Sequence, residues 1–205
     1  MTSVVHPELA LFPLRTVLFP AGLLELKIFE ARYLDLMSRC LREQRPFGVV
    51  ALKSGGESQM SDEPVLLHEA GTLAELIEVD SARVGILLVR ARGTRRFVLE
   101  GAEQRAEGLW VGRAVEIADD EVVAPGPTHA GVVQGLADAI ATLAAQGSHP
   151  FLEPHRLDSA GWIADRWCEI LPMPLEAKVR LMAFSGPLER LDVVDAFMNS
   201  GSPPH

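Results

Sequence analysis

Apolar and polar residues alternate through the first 120 positions of the chain, then change to a helical spacing. Leu24, Leu26 and Ile28 alternate with Glu25 and Lys27, the pattern of a strand with one face buried. Phe47-Gly48-Val49-Val50-Ala51-Leu52 predicts a short, wholly apolar strand. Thr72 to Asp80, Val84 to Arg92, Arg95 to Gln104 and Leu109 to Ile117 follow at the spacing of an antiparallel sheet or barrel. Gly93-Thr94 reads as a two-residue hairpin turn, and Asp80-Ser81-Ala82 and Glu107-Gly108 as two neighbouring turns. One helix interrupts the strands. From Ala31 to Glu43, Tyr33, Leu34, Met37, Cys40 and Leu41 share a face, and Glu30 stands where the positive end of the helix dipole favours a carboxylate.

Beyond residue 120 the spacing predicts four helices. Ala124-Pro125-Gly126-Pro127 breaks the strand rhythm, and Thr128 caps a helix running to about Gln146. Asp158 or Ser159 caps a second that ends at Ile170 before Pro172. Pro174 suits the first turn of a third, through Ala183, and Ser185-Gly186-Pro187 starts a fourth carrying Leu188, Leu191, Val194 and Met198. The periodicity thus divides the chain into a β-rich lobe over residues 7–120, a helical lobe over 121–199, and a Gly/Ser/Pro tail over 200–205 expected to be disordered.

Composition narrows the class. Hydrophobic residues make up 48% and charged residues 23%, the balance of a globular chain with a core of its own. No apolar run approaches the ~20 residues of a membrane span, and the N-terminus lacks a signal-peptide pattern. Cys40 and Cys168 exclude a disulfide framework and suit a reducing cytoplasm, the expected location. A net charge of −9 repels nucleic acid and anionic lipid on average.

Catalytic constellations are missing. There is no phosphate-cradling G-x-x-x-x-G-K-[ST] and no G-x-S-x-G elbow. Both cysteines fall on apolar helical faces, where a thiol stays protonated. Only His149 to Asp158 gathers metal-ligand types, and its spacing is broken by Pro150 and Pro154, so no metal or cofactor is expected.

The opening segment carries the most information. Leu11-Phe12-Pro13-Leu14, Val17-Leu18-Phe19-Pro20 and Leu24 to Tyr33 read LFPLRTVLFPAGLLELKIFEARY, followed by Phe47-Gly48-Val49-Val50, Gly71-Thr72-Leu73-Ala74 and Gly93-Thr94-Arg95-Arg96-Phe97. Leu171-Pro172-Met173-Pro174-Leu175 and Pro187-Leu188-Glu189-Arg190-Leu191 extend the match. In order and spacing these segments resemble the N-terminal substrate-recognition domain of the Lon protease family, over residues 7 to 199. The resemblance implies an α+β fold: a twisted, partly closed antiparallel β lobe, PUA-like, with one early helix, then a bundle of about four helices. It also implies substrate recognition without catalysis. Lys178 and Ser185 match neither the order nor the setting of that family's protease dyad.

Three functional readings follow. The first is a non-catalytic module that binds unfolded polypeptide or a partner protein in an apolar groove, with a sheet edge able to accept a strand. Its candidate contacts are Phe29, Arg32, Tyr33, Trp110 and Trp162, because aromatic and arginine side chains anchor interfaces. Each also has a scaffold reading: Phe29 plugging the core, Tyr33 packing with its hydroxyl at the rim, the tryptophans as core. The second is an RNA-binding β module using Arg90, Arg92, Arg95 and Arg96 around the expected Gly93-Thr94 turn. Nearby Glu78, Asp80 and Glu100 favour cross-strand pairing of those arginines instead, which makes nucleic acid the weaker partner. The third is a peptide hydrolase.

Overall fold

The computed structural model describes residues 4–57 and 64–200. The chain forms two compact units, Met1–Ala118 with Pro174–Ala183, and Asp119–Met173 with Phe184–His205.

The first unit is built on six strands, β1 (Val5–Leu14), β2 (Leu23–Ile28), β3 (Phe47–Ser54), β4 (Leu66–Arg83), β5 (Ile86–Gln104) and β6 (Trp110–Glu116), with helix α1 (Ala31–Glu43) between β2 and β3. Their order is β2-β5-β4-β3-β1-β6, and β6 pairs back onto β5. Five strands therefore close into a ring and β2 lies outside it, on the first half of β5. Leu9, Leu11, Val50, Leu73, Phe97, Leu99 and Ala114 form one buried cluster. Every ring strand contributes to it, so it is the ring's interior. A ring this narrow is filled by side chains alone. Gly71 shows how tightly: a Cβ there would lie 2.5 Å from both the Phe97 ring and the Val49 carbonyl.

The period-two pattern sends alternate residues to a second cluster. Phe12 and Leu14 of β1, Val49 of β3, Leu24 and Ile28 of β2 and Val89 and Ala91 of β5 pack with Tyr33, Leu36, Met37 and Cys40 of α1. Leu9 and Leu11 on one side of β1, with Phe12 and Leu14 on the other, is the arrangement the sequence predicts. Helix α1 has the predicted limits but a rotated face. Arg32 and Leu36 are buried, and Leu41 is exposed.

Four details of the β lobe differ from the expectation. First, β1 and β3 run parallel, from Leu11↔Gly48 to Leu14↔Ala51, because α1 carries the chain back across the sheet between them. Second, Gly93-Thr94 is not a turn but the middle of β5. Glycine is required there by close approach, since the Ala21 N–H donates to Gly93 O at 2.8 Å and the Gly93 N–H to Gly22 O at 2.9 Å. A Cβ at Gly93 would overlap the Phe19 carbonyl. Third, Asp80-Ser81-Ala82 lies within β4 beside a register shift, and the chain reverses at Val84-Gly85, where Gly85 has φ +79°. Fourth, Phe29 does not plug the core: it is 63% exposed.

Among the described residues the second unit holds three α-helices, α2 (Ala130–Ala145), α3 (Ala160–Ile170) and α5 (Pro187–Ser200), with a single 3-10 turn, Pro127–His129, ahead of α2. Helix α3 is buried around most of its surface, and Ser159 caps it by accepting the Trp162 N–H. Buried Arg190 binds Asp120, the Phe184 carbonyl at 2.6 Å and Asp165 at 3.2 Å. The Trp167 indole N–H donates to Val132 O at 3.0 Å. The third predicted helix, α4 (Leu175–Ala183), belongs to the first unit, where the Met182 carbonyl accepts from Arg96 at 3.1 Å. The helical lobe is therefore not the continuous stretch 121–199. Ser200 closes α5, and the rest of the expected tail lies outside the described residues.

Candidate functional site

A groove of about 880 Å³ opens on the first unit. One wall is the N-terminal half of β1, Val5 to Ala10. The facing wall is the C-terminal half of α1, with Arg39 and Glu43 at the lip, continued by Arg45 and Pro46. The β5–β6 turn closes one side through Arg105, Glu107 and Leu109. The floor is the surface of the α1 cluster, where Leu36, Cys40 and Leu109 are buried.

Strand pairing makes this groove chemically distinctive. β1 pairs with β6 from Val5 to Leu11 but with β3 only from Leu11 to Leu14. Among the described residues, the other backbone edge of residues 5–10 therefore has no strand beside it. Unpaired backbone N–H and C=O groups beside an apolar floor can bind an extended chain by adding a strand. Pro7 removes one donor from that edge, and a register shift falls between His6 and Leu9. Any added strand must accommodate both.

The charges around the groove are sorted. Arg105 holds Glu8 at 2.6 Å across the rim. Arg39 and Glu107 are exposed, with no carboxylate or cation partner among the described residues. Cys40 is no nucleophile: burial pushes its thiol up to about 11, despite Arg39 nearby.

The residues named from sequence go to several places. Arg32 is buried against the β5–β6 turn, where Nη1 donates to the Gly108 carbonyl at 2.7 Å, and Nη2 donates to Glu57 O at 3.2 Å. Nη2 also meets Glu30 at 2.9 Å, and the guanidinium lies 4.4 Å over the Tyr33 ring. Tyr33 stacks on Phe12 with centroids 4.0 Å apart, and burial raises its hydroxyl to about 12. Both are supports of the groove's surroundings and neither lines it. Trp110 is half-buried against the ring interior. Trp162 is buried in the second unit against Phe151, His155 and Arg166. Phe29 stands exposed at the β2–α1 corner.

The four arginines of β5 are engaged within the first unit, three of them by carboxylates of their own sheet. Arg90 meets Glu25 and Glu78 at 3.2 Å each, Arg92 meets Glu75 at 3.2 Å, and Arg95 meets Glu116 at 2.8 Å. Arg96 is buried, donating to the Met182 and Ala118 carbonyls.

Sequence reasoning missed the groove because its walls come from three distant segments with no motif among them. The available signal was the polar, proline-containing start of β1, Val5-His6-Pro7-Glu8, the composition of a strand segment with one edge unpaired. Among the described residues no three His, Cys, Asp or Glu groups are placed to hold a metal ion, and no helix is long and apolar enough to cross a membrane.

Known proteins share this architecture. A Lon N-terminal domain protein from Xanthomonas campestris superposes with a TM-score of 0.76 at 29% identity, covering 94% of this chain and 99% of that one. The N-terminal domain of the Mycobacterium avium complex Lon protease shares the fold, with a TM-score of 0.60, 13% identity and coverage of 95% and 100%. No curated protein matches the sequence. The model of the ATP-dependent protease La (LON) substrate-binding domain matches residues 8–200, and no ATPase or protease domain is matched. The chain belongs to the LON substrate-binding domain family.

Proposed function

We propose that this domain is a non-catalytic polypeptide-binding module of the cytoplasm, holding an extended segment of an unfolded chain or partner protein in the groove beside β1. The observation that carries this reading is the open backbone edge of residues 5–10 above an apolar floor. Membership of a substrate-binding family supports it. An unfolded chain offers the complementary features, exposed apolar side chains and unpaired backbone groups. Nucleic acid fits less well, because Arg90, Arg92 and Arg95 already face carboxylates on neighbouring strands and the chain carries a net charge of −9.

Fluorescence anisotropy with labelled, unstructured peptides tests the proposal. Saturable binding is expected, weakened several-fold by Val5→Glu, since Val5 is a groove residue already 39% exposed and its replacement spares the core. No saturable binding of any peptide removes the reading, and binding indifferent to Val5→Glu moves the site elsewhere.

A further inference from the structure

Of the open strand edges among the described residues, those on β1, β4 and β2 differ in kind. Residues 5–10 of β1 carry Pro7 and a register shift. β4 beyond Ala74, where β3 stops, carries register shifts at Leu76/Glu78 and Ser81/Arg83 and the exposed acids Glu75, Glu78 and Asp80. Irregularity and like charge are the usual guards against unwanted pairing. β2 has neither. Its six residues pair with β5 from Leu23↔Arg92 to Ile28↔Leu87 without a register shift, they include no proline, and its other side has no strand.

The phase of that open edge can be read from the ladder. The Gly93 N–H donates to Gly22 O, so Gly22 turns its backbone groups toward β5. Alternation then turns those of Leu24, Leu26 and Ile28 toward β5 and those of Leu23, Glu25 and Lys27 outward. An antiparallel strand joining this edge must bond to residues 25 and 27.

The sequence of β2 is complementary to itself in that phase. We propose that the chain forms a homodimer by antiparallel pairing of β2 with β2 of a second copy, centred on Leu26 facing its own counterpart. Glu25 of each copy then faces Lys27 of the partner subunit, and Leu24 faces Ile28 of the partner subunit. Glu25 and Lys27 are both exposed, and Lys27 has no partner in its own chain among the described residues. Sliding by one pairing step in either direction sets Glu25 against Glu25 or Lys27 against Lys27, so one register is favoured and its neighbours are repelled. In the favoured register Leu23 faces the exposed Phe29, giving that aromatic a contact.

Charge exchange on the full chain tests the pairing, read by sedimentation velocity over a wide concentration range and by native mass spectrometry. The wild type is expected to pass from monomer to dimer as concentration rises. Lys27→Glu places Glu against Glu twice across the two-fold axis, and should weaken the dimer on the order of tenfold or more. Glu25→Lys places Lys against Lys, with the same result. Mixing the two variants restores both opposite-charge pairs, so heterodimers form where neither variant pairs with itself. Glu25 also meets Arg90 within its own chain, so circular dichroism must show both variants folded. Lys27→Glu breaks no such contact and keeps the test readable alone. A wild type that stays monomeric overturns the proposal, as does a dimer whose concentration dependence ignores both substitutions.

Discussion

Replacing Arg32 with alanine tests whether the groove depends on a side chain that does not line it. The guanidinium reaches from the first turn of α1 to the Gly108 carbonyl, in the β5–β6 turn that closes one side of the groove. Its bonds do not all count equally. Glu57 is exposed and Glu30 partly so, and water replaces Arg32 at both. Gly108 O keeps a second donor, the Gln104 side chain at 3.0 Å. What is lost is one charge-assisted bond, at about 1.5 kcal/mol. The contact over Tyr33 adds about 0.5–1 kcal/mol, and the packing of a side chain only 5% exposed about 1 kcal/mol more. The expected destabilisation is roughly 3 kcal/mol, a fall in Tm on the order of 10 °C. Urea unfolding followed by circular dichroism measures the first, and anisotropy with a labelled peptide measures the effect on the groove. Affinity should fall in a variant that is still folded, because the turn carrying Glu107 and Leu109 loses its anchor. Arg32→Lys should recover only part of both, since an ammonium cannot span the same acceptors. A stability change below about 0.5 kcal/mol refutes the reasoning. If affinity were lost without it, Arg32 would be touching the peptide directly.

Four further outcomes are expected. Gly71→Ala should cost about 1–3 kcal/mol in urea unfolding, because the new methyl meets the Phe97 ring and the Val49 backbone. Gly101→Ala on β5, with nothing within 4 Å, should be neutral or slightly stabilising, and equal stability of the two variants would contradict a filled ring interior. Tyr33 is the only tyrosine, so the phenolate absorbance of the native protein should stay flat with rising pH until close to 12 or until unfolding, whichever comes first. Burial pushes the Glu116 carboxyl up, but hydrogen bonds and charge from Arg95 and His6 outweigh it and hold the group below the ordinary glutamate range. A depressed pKa contributes stability above the unfolded value of about 4.3 and loses it as pH falls through the folded value. Glu116→Gln should therefore flatten the acid limb of a stability–pH profile and leave the slope above neutrality unchanged.

The elements were legible wherever periodicity is local. The limits of α1, the cap at Ser159 and the two faces of β1 all follow from spacing along a few turns or a few strand residues. Phe29 was legible too, had parity been carried one residue further: Leu24, Leu26 and Ile28 point inward, so the next residue points out. Gly93 misled for a physical reason. Glycine serves positive φ and close approach alike, and only the neighbouring loop Phe19 to Gly22, distant in sequence, decides between them. The parallel β1–β3 pair and the return of β6 to β5 are choices of partner, and strands of similar apolar pattern do not encode their neighbours locally. The groove inherits that ambiguity, being a consequence of where pairing stops.

β5 explains why the molecule both closes its sheet and leaves edges open. Its first half, Leu87 to Arg92, pairs with β2, and its second, Phe97 to Gln104, with β6. The second half completes a ring, and a ring has no edge. The first half runs past the ring and must carry an outer sheet whose last strand, β2, has an open side. The same mismatch of lengths acts on β1, which begins six residues before its pairing with β3 at Leu11. Open edges are thus concentrated at the overhangs by the closure that stabilises the core. A substitution inside the ring, such as Gly71→Ala, acts on all edges together through stability, whereas Val5→Glu and Lys27→Glu act on one edge each. Separable effects of that kind are what distinguish an interface built on a strand overhang from one that is part of the folding core.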